Sequence, residues 1–186
     1  PSNPYAATKA SAELLVNAYV KTFDLDCVIT RCTNNYGPRQ FYEKLIPKTI
    51  FLAKNNKKIP IYGTGKNIRD WIFVDDHCTA VYSVLLDGKS GESYNISANN
   101  ELDNITIVEK ILEIMGKSTD LIEFVDDRPG HDLRYSLDSS KIRASLKWNE
   151  KNTFNDGIEK TINWSLNQSN VQNIQNETFS PTPWKK

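Results

Sequence analysis

The sequence predicts an α/β fold, and three observations carry that prediction. Short runs rich in β-branched and aromatic residues recur at 26–32, 59–62, 68–74, 93–96 and 121–125. Stretches with helical apolar spacing stand between and around them, at 4–23, 45–54, 75–86 and 106–115. Turn-forming pieces such as Gly37-Pro38, Gly63-Thr64-Gly65 and Gly116 separate the two kinds.

The chain has 186 residues, enough for one domain or parts of two with a real core. Formal net charge is zero and no long basic run is present, which leaves a nucleic-acid role without electrostatic support. No apolar run approaches membrane-spanning length and no signal peptide is recognisable, so no membrane partner is expected. Cys27, Cys32 and Cys78 form an odd set without a CxxC pair, which fits a reduced, cytoplasmic protein. The chain starts without methionine, directly at a helix cap, and is expected to be part of a longer polypeptide.

The first helix should run from about Pro4 to Phe23, with Pro4 in its first turn, where a missing N–H costs nothing. Asp26 to Cys32 reads as a short buried strand, followed by a polar loop, Thr33-Asn34-Asn35-Tyr36-Gly37-Pro38. In open α/β sheets ligands bind at such strand ends, although asparagines and Gly-Pro also simply make turns. A helix at 45–54 tolerates Pro47 only in its first turn. Ile59 to Tyr62 is a strand, and Gly63 to Asn67 reads as a hairpin turn into the strand Ile68 to Val74. A phosphate-loop reading of that turn fails on spacing, since Pro60 stands where the first glycine belongs and Asn67 replaces Ser/Thr. Asp75 and Asp76 supply an N-cap and a first-turn acid for the next helix. Ser93 to Ile96 is a strand, and a helix from Thr106 to Met115 ends on Gly116. The strand Leu121 to Val125 leads into a charged loop, Asp127 to Asp132. Helices at 138–146 and 153–167 follow, the latter with Ile158, Ile162 and Leu166 inward, and 169–186 reads as a flexible tail.

Tyr5 and Lys9 lie four apart, hence on one face of the first helix. A phenol near a fixed ammonium gives up its proton more readily, which suits proton transfer near neutral pH. The same spacing arises often by chance. Arg128, His131, Asp132 and Arg134 share one loop that could clamp a diphosphate or simply form exposed salt bridges, and Arg69 carries the same ambiguity. His77 and His131 are far apart and lack ligand-spaced neighbours, so no metal site is expected. No serine sits in a Gly-x-Ser-x-Gly elbow.

Taken together, Tyr5-x-x-x-Lys9, Asn34-Asn35-Tyr36-Gly37-Pro38, Glu43-Lys44-Leu45-Ile46-Pro47, Pro60-Ile61-Tyr62-Gly63, Ile68-Arg69-Asp70-Trp71 and Asp127-Arg128-Pro129-Gly130-His131-Asp132 resemble the nucleotide-sugar branch of the extended short-chain dehydrogenase/reductases. Within it the closest resemblance is to the dTDP-glucose 4,6-dehydratases, over about residues 1–167. The resemblance implies the remainder of a Rossmann-type parallel sheet plus a smaller α/β substrate-binding domain. The expected division is 1–97 for the cofactor domain, with a substrate-domain insertion at about 38–74, then 98–168 for the nucleotide-sugar domain.

It further implies NAD as cofactor, dTDP-glucose or UDP-glucose as substrate, and a homodimer. The family oxidises C4 of the glucose by hydride transfer to NAD⁺, eliminates water across C5–C6, and returns the hydride to C6. By position Tyr5 would be the base and Lys9 its partner, with Tyr5, Lys9 and Asn35 against the cofactor. Asn34, Lys44, Leu45, Pro60, Ile61, Tyr62, Arg69, Asn104, Arg128, His131, Asp132 and Tyr135 would hold the substrate. The family's glycine-rich loop and Asp-Glu pair have no counterpart here, so this chain alone is expected to be inactive. Tyr42 stands where the family often has proline. A UDP-glucose dehydratase, an epimerase or decarboxylase of the same superfamily, and a non-catalytic nucleotide-sugar-binding remnant are the alternatives.

Overall fold

One strand, Ile68–Phe73, separates two of the three apolar cores of the molecule, and the rest of the fold is arranged about it. In chain order the computed structural model, which describes residues 3–168, contains α1 (Pro4–Phe23), β1 (Ile29–Cys32), β2 (Asn34–Tyr36), α2 (Leu45–Lys54), β3 (Ile59–Tyr62) and β4 (Ile68–Phe73). There follow α3 (Val74–Asp87), β5 (Ser93–Ile96), β6 (Glu101–Asp103), α4 (Asn104–Ile114), β7 (Ile122–Val125), β8 (Arg134–Tyr135), α5 (Ser140–Leu146) and α6 (Phe154–Leu166). The expected tail at 169–186 lies outside the described residues.

Strand pairing is mostly parallel, as strand–helix alternation requires. β1 pairs with β5 and β3 with β7, while β4 pairs in parallel with β2 and β8 and antiparallel with β6. Successive side chains of a strand face opposite ways. Trp71 and Phe73 therefore enter one core with Tyr36, Ile46, Ile50, Ile107, Ile111, Ile158 and Ile162, whereas Ile72 enters another with Ala80, Val84, Tyr94, Ile96, Ile142 and Trp148. The third core gathers Leu52, Ala53, Ile59, Ile61, Val108 and Leu112 between α2, α4 and β3. Buried Asp76 pins these parts, accepting from the Lys151 and Asn152 backbone N–H groups at 3.0 and 3.1 Å and from Asn152 Nδ2 at 3.1 Å. Gly157 of α6 sits so close to Tyr36 that a Cβ there would collide with the Tyr36 hydroxyl and the Phe73 ring.

Several expectations need correction. Residues 34–36 are a strand rather than a loop: Thr33 N–H makes the last bond of the β1–β5 ladder, to Ile96 O at 3.1 Å, and the chain then crosses to pair with β4. Gly63 to Asn67 turns the chain but joins no hairpin, because β3 pairs with β7 while β4 pairs elsewhere. The first strand is shorter than expected, starting at Ile29, and Cys27 precedes it; all three thiols are free. Helix α3 has Phe73 as N-cap without a side-chain cap, and Asp75 and Asp76 both lie in its first turn. Helix α4 starts two residues early because Asp103 caps it, accepting from Thr106 N–H at 2.9 Å. On α6, Ile158 and Ile162 are buried but Leu166 turns outward, its place taken by Ser165. The strands β2, β6 and β8 have no apolar alternation long enough to be read from sequence.

Candidate active site

At the N-terminal end of α1, Asn3 caps the helix by accepting from Ala6 N–H at 2.9 Å. That cap fixes the first turn, which carries Tyr5, and Lys9 follows one turn later. Tyr5 is 74 % exposed and Lys9 is exposed too, and among the described residues no hydrogen bond reaches either polar end. Farther along, Glu13 meets Arg31 of β1 in a fork, with Arg31 Nε donating to the two carboxylate oxygens at 2.8 and 3.0 Å and Nη2 at 2.5 Å.

β1 leads through Thr33 to Asn34 and Asn35. Asn35 Nδ2 donates to Cys32 Sγ at 3.2 Å, and Gln40 Nε2 donates to the Asn35 carbonyl at 2.8 Å. Among the described residues Asn35 Oδ1 is buried without a partner, and Asn35 lines a cleft of about 630 Å³ together with residues 36–40, the start of α3 and Trp164 of α6. The neighbouring loop 97–100 is held by Asp70, fully buried, which accepts from Ala98 N–H at 3.3 Å and from the Thr33 hydroxyl at 3.4 Å. Burial pushes the Asp70 carboxyl up, against the pull of those donors.

The second group of residues lies along β4 and the 127–135 segment. Arg69 is buried, 7 % exposed, yet among the described residues it meets no carboxylate: Nη1 donates to Ile68 O at 2.6 Å and Nη2 to Asp132 O at 2.8 Å. Burial pushes the Arg69 guanidinium down; nearby Arg128 adds to this and Asp132 opposes it. Asn67 Nδ2 also donates to Asp132 O, at 3.2 Å, so Asp132 serves here through its main chain. His131 has its ring almost wholly covered and its Nδ1 at 2.7 Å from Asp127 Oδ1. Partial burial alone would raise the Asp127 carboxyl, but the His131 and Arg128 N–H donors and their charges outweigh it and hold it low. Asp127 packs against Gly63, whose φ of +56° and missing Cβ make room for the carboxylate.

Tyr135 joins the two groups. It pairs with Arg69 across β4–β8, and its hydroxyl donates to Cys32 O at 3.1 Å. Burial first, then neighbouring Cys32 and Tyr5, push its phenol up. Asn34 pairs with Trp71, two residues along β4 from Arg69. The structure thus sets Tyr135, Arg69 and Asp132 in one strip, tied to the helix of Tyr5 through β1 and the Arg31–Glu13 fork, while Asn34 and Asn35, adjacent in β2, face opposite sides.

The remaining expected residues stand as follows. Lys44 is the N-cap residue of α2, ion-paired with Glu43 at 2.7 Å, and Leu45 is half-buried on the core. Pro60 and Tyr62 are half-buried on the face of β3 opposite Ile61, which is in the core and offers only its main chain. Burial pushes the Tyr62 phenol up, and Arg128 pulls it back. Asn104 opens α4, its N–H donating to Asn67 O at 3.3 Å. Arg134 does not join a clamp, since Glu101 holds it by two hydrogen bonds at 2.5 and 2.7 Å. His77 is half-buried on α3 away from this strip, and burial pushes its imidazole down. Glu13, Arg31, Gln40, Asp70 and Asp127 were missed; only Glu13, four residues after Lys9, had a sequence signal.

Residues 1–161 match the family model described as GDP-mannose 4,6 dehydratase. The chain belongs to that family. It is 45 % identical over 191 residues to dTDP-glucose 4,6-dehydratase of Neisseria meningitidis serogroup B, covering 96 % of this chain and 54 % of that protein. The crystal structure of dTDP-glucose 4,6-dehydratase from Bacillus anthracis in complex with NAD superposes with a TM-score of 0.85 at 46 % identity, covering 88 % of this chain and 52 % of that one. UDP-glucuronic acid 4-epimerase from Bacillus cereus, solved with UDP-glucuronic acid and NAD, gives a TM-score of 0.84 at 29 % identity, over 89 % of this chain and 53 % of that one. The chain spans about half the length of the relatives it matches. Among the described residues no cluster of His, Cys, Asp or Glu could hold a metal, and no helix is long and apolar enough to cross a membrane.

The residues present fit the nicotinamide-ribose end of NAD. An exposed phenol and ammonium one turn apart offer the donors such a group takes.

Proposed function

We propose that the chain is the part of an NAD-dependent dTDP-glucose 4,6-dehydratase that carries the Tyr/Lys pair and the nucleotide-sugar site. The observation that carries this reading is the chain of contacts from Arg69, paired with Tyr135 across β4–β8, through the Tyr135 hydroxyl to Cys32 O on β1, whose Arg31 grips Glu13 on the helix that carries Tyr5 and Lys9. Arg69 supports it most directly, as a buried guanidinium that meets only carbonyls and retains donors for a diphosphate. The dehydratases from N. meningitidis and B. anthracis, each near 45 % identity, favour this substrate class over the epimerase at 29 %.

In this reading Lys9 stabilises the phenolate form of Tyr5, which takes the proton of the sugar C4 hydroxyl and becomes the neutral phenol. Lys9 and Asn35 would hold the cofactor, which supplies a hydride acceptor when bound. Asn34 positions the sugar; Arg69, Arg128 and His131 meet the diphosphate; Lys44, Pro60 and Tyr62 line the base. Residues 1–97 would complete the cofactor domain, and 98–168 with the 38–74 insertion the sugar-nucleotide domain. The enzyme would be a cytoplasmic homodimer.

The test is to supply the full-length gene product with NAD and either dTDP-glucose or UDP-glucose and to follow formation of the 4-keto-6-deoxy sugar. Selective turnover of dTDP-glucose is expected. Binding of the nucleotide sugar without turnover would favour a non-catalytic role, and inversion at C4 without loss of water an epimerase. The 186-residue chain alone is expected to show no turnover.

A further inference from the structure

Helix α1 carries Tyr5 and Lys9 but buries none of its side chains. Midway along it, Glu13 follows Lys9 by four residues and Tyr5 by eight, so the three form a stripe along one face. Glu13 is close enough to two cations to respond to both: its carboxyl is held low first by the hydrogen bond from Arg31, and then, against burial, by the charges of Arg31 and Lys9. The fork commits it to Arg31. Both side chains are partly covered, at 39 % exposure for Arg31 and 31 % for Glu13, so the pair is less screened than a free surface pair. Arg31 is itself anchored, with Nη1 reaching Asn95 Oδ1 on β5 at 3.5 Å.

We propose that Arg31, by holding Glu13, is a positioning residue that keeps Lys9 available to Tyr5. Arg31 takes up the Glu13 carboxylate, which would otherwise draw the Lys9 ammonium one turn away from the phenol. This rests on the reading of Tyr5 as the base. The other titratable groups at this place are Cys32 on β1 and Tyr135 and Asp132 on the 132–135 segment; Glu13 is the carboxylate whose charge couples to Lys9.

The test is the pH profile of kcat for the full-length gene product acting on dTDP-glucose, in wild type, Arg31→Gln, Glu13→Gln and the double variant, with Tyr5→Phe as control. In Arg31→Gln the freed carboxylate pairs with Lys9, and the limb on which kcat rises with pH moves upward. The expected shift is roughly half a pH unit, about threefold in rate on that limb. In Glu13→Gln the limb moves downward, and the double variant returns toward wild type. An anchor that merely holds the helix predicts something else, namely lower kcat at every pH, a fixed limb and no recovery in the double variant; that result would overturn the proposal. Should Arg31→Gln not fold, Glu13→Gln decides alone, since a kcat lowered at every pH there is the anchor's result and overturns it as well. Full activity in Tyr5→Phe would sink the assignment of the base itself, whereas a dead Tyr5→Phe with unmoved limbs would sink only the role of the pair.

Discussion

The two ends of the candidate site are built in opposite ways. At one end Arg69 and His131 are buried, and hydrogen bonds to Asp132 O and Asp127 fix them before any ligand arrives. At the other, Tyr5 and Lys9 stand exposed on a helix with no buried residue, held by its Asn3 cap and the Glu13–Arg31 fork. In the proposed function, anion recognition would be pre-organised by the core, while the proton-transfer pair would depend on local helix chemistry. Substitutions at the first end should therefore change binding and stability together, and those at the second should separate activity from stability.

The largest effect is expected from Tyr5→Phe. Losing a positioned acid–base group should lower kcat by about 10²–10⁴-fold and leave the melting temperature unchanged, which steady-state kinetics and a thermal melt can check together. A matching drop in stability would mean that Tyr5 is a packing residue and that the contrast is false. Next, Arg69→Gln removes a charge-assisted donor set worth about 1.5–3 kcal/mol. KM for the nucleotide sugar should rise roughly 10- to 100-fold, and the melt should fall too, because the Asp132 carbonyl loses the shorter of its bonds and keeps only the one from Asn67 Nδ2.

Asn3→Ala should cost about 1 kcal/mol, confined to α1. Hydrogen exchange of the first helical turn should quicken while the amides of β4 keep their protection. The smallest effect belongs to Asp127→Asn. The Asp127 carboxyl is held below its ordinary value in the folded state, so its contribution to stability is present above that ordinary value and disappears as pH falls through the lowered one. Given the exposure of Asp127, the variant should lose a few tenths of a kcal/mol at neutral pH and match wild type in acid, which melts across that range can read.

Element positions were legible wherever a local rule acted alone. The bounds of α1, α2 and β3 follow from Pro4, from Pro47 in a first turn and from the Ile59-Pro60-Ile61 run. Pairing was not legible. Gly63 to Asn67 has the composition of a hairpin turn, but long-range packing of Ile59 and Ile61 against α2 and α4 sends β3 to β7 instead. Likewise Asn34 and Asn35 look like loop residues until β4 supplies a partner. The candidate site was recognisable from motif resemblance, but its supports were hidden. Asp70, Arg31 and Asp127 act through partners 4 to 37 residues away, and no periodicity announces such contacts.

The pairing of β4 with both β2 and β8 makes that strand a ruler. Asn34 is registered on Trp71 and Tyr135 on Arg69, so the sugar-side and phosphate-side residues are spaced by two strand steps, roughly 7 Å. Because the graduation is the pleat itself, it can change only in whole residues. Inserting one residue between Arg69 and Trp71 would turn either the guanidinium or the indole to the opposite face, that of Asp70 and Ile72. The distance between the two ends of the candidate site is therefore quantised, and gradual drift in this strand cannot adjust it.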